Sequence, residues 1–481
     1  MSTPLARLLV FLSSAAVLVI EILAVRLMAP YLGVSLEVFT GVIGVILAGI
    51  AAGAWVGGRA ADRIDPAALV GPVLVFGGLT AMASPLIVDV LGRSASTGPA
   101  SIVTLTVVGF FLPAAVLSAI PPLIVKMQLS SLDSTGTVVG SFSAVGTFGA
   151  LFGTFITGFF LIAAFPTRPI VAALGLILVS VGVLTWVSKQ RWMMAILVFG
   201  AVGLSALLFA IAGPCQFETP YHCGWIEVDD APSSGRTLIL DRLSNSYVDL
   251  DDPEHIQFRY LKTVVDIINT HAEAGPLTVV AVGGGGFTLP GYVSATRPGS
   301  NNIVLEIDRG LVEIGQNHLA LQDDVDVVIA DARQSIRDIA DNSVDVVVGD
   351  AFSGYSVPWH LTTVEFLTEI SRVLTGQGLY AMNVIDFDNL RFVRSAAATM
   401  GKVFDNVIVF APSAAFVNGR GGNFVLAGSD QDFDLGSIQE SMETRNGVER
   451  VLDGQTLVDF IGDAHVLTDD YAPVDQMLGS R

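Results

Sequence analysis

The chain has 481 residues, of which 52% are hydrophobic, and its mean hydropathy of +0.64 excludes an ordinary water-soluble protein. Residues 1–213 carry 9 Lys/Arg and 6 Asp/Glu, whereas the remainder carries 16 and 39, so an apolar first part is joined to a strongly acidic second part. Because negative surface charge repels phosphate backbones, a nucleic-acid partner is disfavoured.

Seven apolar runs of about 20 residues, each long enough to cross a bilayer as a helix, occupy the first part. They cover 6–28, 38–58, 69–91, 101–125, 140–164, 169–187 and 193–213. The first run is too long for a removed signal peptide and lacks a small-residue cleavage site. Glycines recur four residues apart, which is typical of closely packed membrane helices: Gly49, Gly53 and Gly57, and Gly149 with Gly153. The sequence therefore predicts a multi-pass protein of the cell membrane, in contact with lipid.

Two charged residues, Glu21 and Arg26, lie near the end of the first predicted span. A charge in hydrocarbon is costly and usually serves a purpose. They are interpreted either as an interfacial pair whose side chains reach the headgroups or as a polar site for a cation or a lipid headgroup.

The charged loops indicate an orientation for the predicted spans. With seven spans, one side of the membrane receives most of the cations, namely Arg7, Arg59, Arg63, Lys126, Lys189 and Arg191. Only Arg93 and Arg168 fall on the other side. The positive-inside rule then places the N-terminus in the cytoplasm and the acidic part outside. An error of one span would reverse that answer.

The two cysteines, Cys215 and Cys223, follow the last predicted span. A lone pair this close in sequence predicts a disulfide, which an external location would favour. The alternative is a zinc site that includes His222, but this set lacks a fourth ligand. No metal site is therefore predicted.

The acidic part contains a small β region at 214–270, indicated by short runs at Thr237–Leu240 and Tyr247–Leu250. From 271 to 481 strands and helices alternate, which predicts a parallel-rich sheet covered by helices on both faces. Strand candidates are 277–282, 302–307, 325–330, 344–349, 378–384, 406–411 and 423–427, and helix candidates include 308–319, 361–374 and 389–402.

The carboxyl ends of four predicted strands each carry a glycine turn or an acid. Gly283–Gly286 follow the first strand, Glu306 ends the second, and Asp331 and Asp350 end the third and fourth. Any one acid could instead cap a helix or solvate a loop. In a parallel sheet these ends meet at one edge, where an acid can accept both ribose hydroxyls, so an adenosine-type ligand is predicted. The turn GGGGFT is not G-x-G-x-x-G, which disfavours a phosphate-bearing dinucleotide.

These residues lie in a set of motifs that resembles the spermidine synthase family of polyamine aminopropyltransferases, and most of all its membrane-fused branch. The motifs are LILDRLSNSYVDLDDP, VVAVGGGGF, VLEID, ADAR, VVVGDAFSGYSVPWHLTTVEF and LTDDYAPVD. The resemblance implies an α-helical membrane domain at 1–213 followed by a methyltransferase-like Rossmann domain with a small N-terminal β region. It also implies a polyamine and an adenosyl compound as small-molecule partners, and it is compatible with a homo-oligomer.

For the adenosyl group, the resemblance implies a site for decarboxylated S-adenosylmethionine as co-substrate, with no bound cofactor. Glu306 would hold its ribose, and Asp331 with Ala332 would contact the adenine. The glycine turn would allow close approach through Gly283, Gly284 and Gly285.

For the amine, the resemblance implies that Asp350 is catalytic and that its loop, including Ser353, faces the substrate. An amine of pKa near 10 is protonated at neutral pH, so a carboxylate must take its proton before it can react. The positively charged sulfonium of the donor is already an activated leaving group, so no metal is required. Two acids of the family are replaced, one by Gly286 and one by Ser353. Asp469 and Asp470 are therefore predicted to hold the cationic tail of the amine, facing the same cleft as Asp350.

Three functions are compatible with these features. The first is a membrane-anchored aminopropyltransferase acting on an amine such as putrescine. The second is another transferase that uses an S-adenosylmethionine-type donor. The third is a non-catalytic nucleoside- or polyamine-sensing module. The donor of the first function is made in the cytosol, which argues against the external orientation, so the side of the membrane stays open.

Overall fold

The computed structural model describes residues 1–95, 98–129, 135–186, 191–211, 213–231, 233–417, 420–445, 447 and 449–478, with side chains from 197 onward in the helix that begins at Arg191. The chain divides into two compact units, Met1–Cys223 and Gly224–Arg481. The boundary lies ten residues beyond the predicted end of the membrane domain, after the second cysteine.

The first unit is helical. Its helices are α1 (Thr3–Leu32), α2 (Leu36–Arg63), α3 (Pro66–Gly92), α4 (Pro99–Thr106), α5 (Leu112–Ser118), α6 (Ile120–Gln128), α7 (Thr135–Ile156), α8 (Ile162–Ala164), α9 (Thr167–Thr185) and α10 (Arg191–Ala210). π-Helical turns at Val107–Phe111 and Thr157–Leu161 make α4–α6 and α7–α8 nearly continuous. A two-residue strand, β1 (Phe217–Glu218), follows α10.

Within the described residues, six helical stretches are long and apolar enough to cross a membrane, namely Thr3–Leu32, Leu36–Arg63, Pro66–Gly92, Pro99–Gln128, Thr135–Ala164 and Thr167–Thr185. They coincide with six of the seven predicted spans. The seventh falls on α10, whose apolar stretch of described side chains, Leu197–Ala210, is shorter than a span. Residues 187 and 212 of the predicted spans lie outside the described residues.

The glycine repeats lie where helices touch, as predicted. A Cβ on Gly53 would overlap the Ala115 carbonyl oxygen of α5, and one on Gly57 would lie 2.8 Å from the Cα of Ala119. Cβ atoms on Gly149 and Gly153 would overlap carbonyl oxygens of α1. Such close backbone approach replaces the hydrophobic effect as the source of helix association in lipid.

Arg26 does not pair with Glu21 but with the segment that follows α10. Its guanidinium donates to the Glu218 carboxylate at 3.2 Å, to the Thr167 hydroxyl at 3.3 Å, and to the carbonyl oxygens of Thr219 and Pro220. A disulfide between Cys215 and Cys223 closes this segment, as the first of the two cysteine interpretations predicts. Arg26 therefore has protein partners that compensate its charge.

The second unit begins with antiparallel strands β2 (Cys223–Val228), β3 (Gly235–Leu240) and β4 (Leu243–Asp249). Its main sheet has eight strands in the order β12-β10-β11-β9-β8-β5-β6-β7. These are β5 (Thr278–Val282), β6 (Asn301–Glu306), β7 (Asp326–Ile329), β8 (Val344–Gly349), β9 (Leu374–Asp386), β10 (Asn406–Pro412), β11 (Gly422–Ser429) and β12 (Glu449–Leu452). Strands β5 to β9 pair in parallel, and β10 to β12 are joined on by antiparallel pairing.

Helices cover both faces of this sheet. They are α11 (Arg259–His271), α12 (Thr288–Thr296), α13 (Arg309–His318), α14 (Ala332–Ser335), α15 (Val364–Val373), α16 (Arg391–Met400), α17 (Leu435–Thr444), α18 (Gly454–Ile461) and α19 (Val474–Met477). Within β5, Val279 belongs to the core beneath α11, whereas Val280 and Val282 belong to the core beneath α15 and α16. This two-sided burial explains why the parallel strands are apolar throughout. The predicted fold class is confirmed.

The close contact at Gly53 is testable. Replacing Gly53 with Ala inserts a methyl group against the α5 backbone, so the free energy of unfolding of the first unit should fall by about 1–3 kcal/mol. Thermal unfolding of the detergent-solubilised protein measures the change. Gly58→Ala on the same helix is the matched control, because nothing lies within 4 Å of its Cβ position. Equal midpoints for the two variants would contradict the packing described here.

Candidate active site

The candidate site lies at the carboxyl ends of β5, β6 and β8, which are neighbours in the sheet. The chain leaves β5 through Gly283 at φ +97° and Gly285 at φ +51°, conformations that side chains rarely adopt. A Cβ on Gly283 would lie 2.8 Å from the carbonyl oxygen of Asp350, at the end of β8. The glycine turn is therefore required by the close approach of two strand ends.

Glu306 ends β6, and its carboxylate faces the glycine turn. The side chain is 6% exposed, and its two oxygens accept hydrogen bonds from the backbone N–H groups of Gly284 at 2.7 Å and of Asp308 at 2.8 Å. Charge-assisted bonds of this kind fix the direction of a carboxylate. A carboxylate oxygen can accept more than one hydrogen bond, which is the property that recognition of ribose hydroxyls uses.

Ser246 of β4 occupies the space beside Gly286. Its hydroxyl accepts a hydrogen bond from the Gly286 N–H at 2.5 Å, and a Cβ on Gly286 would lie 2.7 Å from the Cβ of Ser246. A larger residue at 286 therefore requires Ser246 to move. The absence of an acid at this position is built into the packing of the turn.

Asp331 follows β7 and begins α14 as its N-cap. Its carboxylate accepts from the Gln334 N–H at 3.3 Å and contacts the His360 ring nitrogen at 3.1 Å, and Ala332 beside it is buried. Asp331 therefore caps a helix, which is the alternative role considered above for a single acid at the end of a strand. Its predicted contact with adenine stays a prediction.

Asp350 has the most altered environment of the predicted residues. Burial raises the pKa of its carboxyl to about 6, although hydrogen bonds from Asn383 and Tyr260 favour the charged form. Asn383 Nδ2 donates to Oδ1 and the Tyr260 hydroxyl donates to Oδ2, both at 2.8 Å. A carboxyl with a pKa near neutrality is suited to accepting and releasing protons.

The partners of Asp350 are held in place in turn. Asn423 of β11 donates to the side-chain oxygen of Asn383 at 3.0 Å, which leaves the Asn383 amide N–H₂ directed at Asp350. Burial and the Asp350 charge raise the pKa of Tyr260 well above its usual range, so its hydroxyl remains a donor. Tyr260 and Asn383 do not figure among the predicted residues. Asn383 carries a detectable signal, a polar side chain in the apolar strand LYAMNVI, but Tyr260 carries none.

Asp350 lines two cavities of the second unit. The larger has a volume of about 420 Å³ and is also lined by Asn383, Asn423 and Tyr260, with aromatic rings on its walls. The smaller, of about 30 Å³, lies between Asp350 and the glycine turn, with Ser246 and Gln257 in its lining. The carboxylate thus lines both a small space at the glycine turn and a larger cavity whose walls are partly aromatic and partly polar.

The other predicted amine contacts lie elsewhere. Ser353 is exposed and pairs with Ser356 in a tight turn of the loop. Asp469 accepts from Arg333 at 2.5 Å and from Thr363 at 2.7 Å, and Asp470 is exposed. Ser353, Asp469 and Asp470 are not among the residues that line these two cavities, and their predicted contact with the amine stays a prediction. The turn around Asp470 is closed by backbone hydrogen bonds between Thr468 and Tyr471, and Asp469 in this turn accepts from Thr363, the N-cap of α15.

Two curated proteins named polyamine aminopropyltransferase are similar to part of the chain. The protein of Chromobacterium violaceum is 22% identical over 176 residues, which are 36% of this chain and 66% of the relative. The protein of Vibrio vulnificus is 26% identical over 159 residues, which are 32% and 52%. The match thus spans about two thirds and about half of the relatives' length. No family model matches the chain.

Among solved structures, a probable spermidine synthase from Corynebacterium glutamicum is similar to the chain. The sequence identity is 27% and the TM-score is 0.50, and the match covers 55% of this chain and 98% of that one. The resemblance to the spermidine synthase family is thereby confirmed for part of the chain, by sequence and by fold.

The packing of Gly286 against Ser246 yields a prediction. Gly286→Ala should lower the free energy of unfolding of the second unit by about 1–3 kcal/mol, because the new methyl group meets the Ser246 side chain. Chemical denaturation followed by tryptophan fluorescence measures the change. Gly291→Ala, with nothing within 4 Å of its Cβ position, is the matched control and should lose no stability. A loss for Gly286→Ala no larger than that of the control would contradict the packing described here.

Proposed function

We propose that the second unit transfers an aminopropyl group from decarboxylated S-adenosylmethionine to an amine, and that the first unit holds it at a membrane. The observation that carries the proposal is the position of Asp350, whose partly buried carboxyl, with a pKa of about 6, lines both the space at the glycine turn and a cavity of about 420 Å³. The similarity to two polyamine aminopropyltransferases and a probable spermidine synthase supports it.

The reaction assigned to this site is a displacement. The amine nitrogen forms a bond to the propyl carbon next to the sulfonium, the carbon–sulfur bond breaks, and its electron pair neutralises the sulfur to give methylthioadenosine. The acceptor arrives as an ammonium, and Asp350 takes its proton so that the nitrogen lone pair is available to form this bond. Tyr260 and Asn383 orient the carboxylate because each donates to a different oxygen.

The adenosyl group would lie over the glycine turn. Glu306 is the residue assigned to the ribose, since its carboxylate already points at Gly284 and is shielded from water. Asp331 and Ala332 would border the adenine at the end of β7. The glycine turn would admit the nucleoside because no side chain projects from Gly283, Gly284 or Gly285.

Glu306→Gln tests the nucleoside site. An amide keeps the shape but loses the charge-assisted bonds to ribose, so methylthioadenosine binding should weaken by roughly 1.5–3 kcal/mol. Isothermal titration calorimetry on the detergent-solubilised full chain measures the change. Glu313→Gln, on the exposed side of α13, is the control and should bind as the parent does. Unchanged affinity in a folded Glu306→Gln variant would place the ribose elsewhere.

Asp350→Asn tests the base. The amide cannot accept a proton, so the rate of methylthioadenosine release in the presence of an amine should fall about 10²-fold or more, while methylthioadenosine binding is largely kept. The parent's rate should rise as the pH increases through about 6, because only the ionised carboxylate can take the proton and it is protonated below that pH.

Asp432→Asn, which removes an exposed carboxylate, is the matched control and should keep the parent's rate and pH profile. Normal turnover by Asp350→Asn would remove Asp350 from the reaction. Tight methylthioadenosine binding without turnover by the parent on any amine would favour the sensing function instead.

A further inference from the structure

The cavity of about 420 Å³ beside Asp350 contains few negatively charged side chains for a site that would bind a cationic amine. Among the described residues that line it, the carboxylates are Asp350 and Glu449, and the cation is Arg259. Glu449 Oε1 accepts from Arg259 Nε at 2.6 Å, so these two charges compensate each other. Asp350 is left as the carboxylate available to a positively charged ligand.

Glu449 is poorly placed to take a second positive charge. Its side chain is 2% exposed, and its other oxygen, Oε2, is buried and has no hydrogen-bond partner among the described residues, so a ligand cannot reach it without a rearrangement. The Arg259 side chain, by contrast, is 50% exposed. A second ammonium in this cavity would therefore meet a guanidinium before it met a free carboxylate, and like charges repel.

The other positions at which the sequence predicts contacts with the amine do not add a carboxylate to this cavity. Gly286 cannot carry a side chain without displacing Ser246, and Asp469 is engaged by Arg333 and Thr363. Neither Asp469 nor Ser353 belongs to the cavity lining. Within the described part of the chain, the acids that would hold both ends of a diamine are not assembled around this cavity.

The cavity walls combine neutral polar side chains, from Ser244, Asn245, Thr263, Asn383 and Asn423, with a group of aromatic rings. Phe258, Phe352, Tyr355, Phe387 and Phe410 supply these rings, and those of Tyr355 and Phe387 meet edge to face with centroids 5.6 Å apart. Such rings stabilise a buried hydrocarbon by the hydrophobic effect. A primary ammonium buried against them without acceptors would instead lose its hydration at a large cost.

We propose that the amine accepted at this site carries one positively charged nitrogen, placed at Asp350, and an apolar body that occupies the aromatic cavity. The inference rests on the proposed function and names its substrate class, a monoamine with an aliphatic or aromatic chain. It excludes short diamines as the preferred acceptors.

Heptylamine and hexamethylenediamine make a matched pair of probes, because they have the same number of non-hydrogen atoms and differ by a methyl group in place of the second ammonium. Calorimetry at neutral pH on the full chain saturated with methylthioadenosine should show heptylamine binding at least about tenfold more tightly. Equal or tighter binding of the diamine overturns the inference, and so does the absence of heptylamine binding.

Arg259→Gln supplies an independent arm of the test. The substitution removes the cavity cation and leaves Glu449 without its partner, so hexamethylenediamine should gain about tenfold in affinity while heptylamine changes little. Arg259→Lys is the matched control and should keep the parent's preference. If Arg259→Gln does not fold, the inference is tested by the parent protein alone, through its relative affinity for heptylamine and hexamethylenediamine.

The same probes separate failure of the inference from failure of the proposed function. Product analysis that finds aminopropyl transfer, with the diamine preferred, keeps the function and overturns the monoamine inference. A binding preference for heptylamine without transfer to either amine keeps the inference about the cavity and removes the aminopropyltransferase function.

Discussion

The site depends on one interaction, the enclosure of the Asp350 carboxylate at the end of β8 by the Tyr260 hydroxyl and the Asn383 amide. Taking a carboxylate out of water favours its neutral form, and two hydrogen bonds at 2.8 Å oppose that tendency. The balance leaves a pKa of about 6. The sheet supplies the geometry, because β8 lies between β5 with its glycine turn and β9 with Asn383.

Gly286 and Ser353 stand at two positions where the resemblance implies acids. Ser246 fills the space beside Gly286, and its hydroxyl gives the Gly286 N–H a partner. The loop that contains Ser353 turns back on itself through Ser356. The cavity beside Asp350 therefore has little free negative charge, because the charge of its other carboxylate, Glu449, is compensated by Arg259.

Much of the fold could be predicted from the sequence because it follows from periodicity. The apolar spans, the alternating strands and helices, and the acids at strand ends are local patterns, and in a parallel sheet such ends must converge. Tyr260 and Asn383 could not be found this way, since their contacts with Asp350 depend on how α11 and β9 pack. The contacts of Asp469 could not be found from the sequence for the same reason, since its partner Arg333 is 136 positions away in the chain.

The role proposed for Asp350 is to take the proton of the amine in aminopropyl transfer. Mass spectrometry can identify the products that the purified full chain forms from decarboxylated S-adenosylmethionine and a panel of mono- and diamines, with ordinary S-adenosylmethionine supplied in parallel. We expect an aminopropylated amine and methylthioadenosine in equal amounts from the decarboxylated donor. Methylated products from the ordinary donor, or intact decarboxylated donor with every amine, would contradict it.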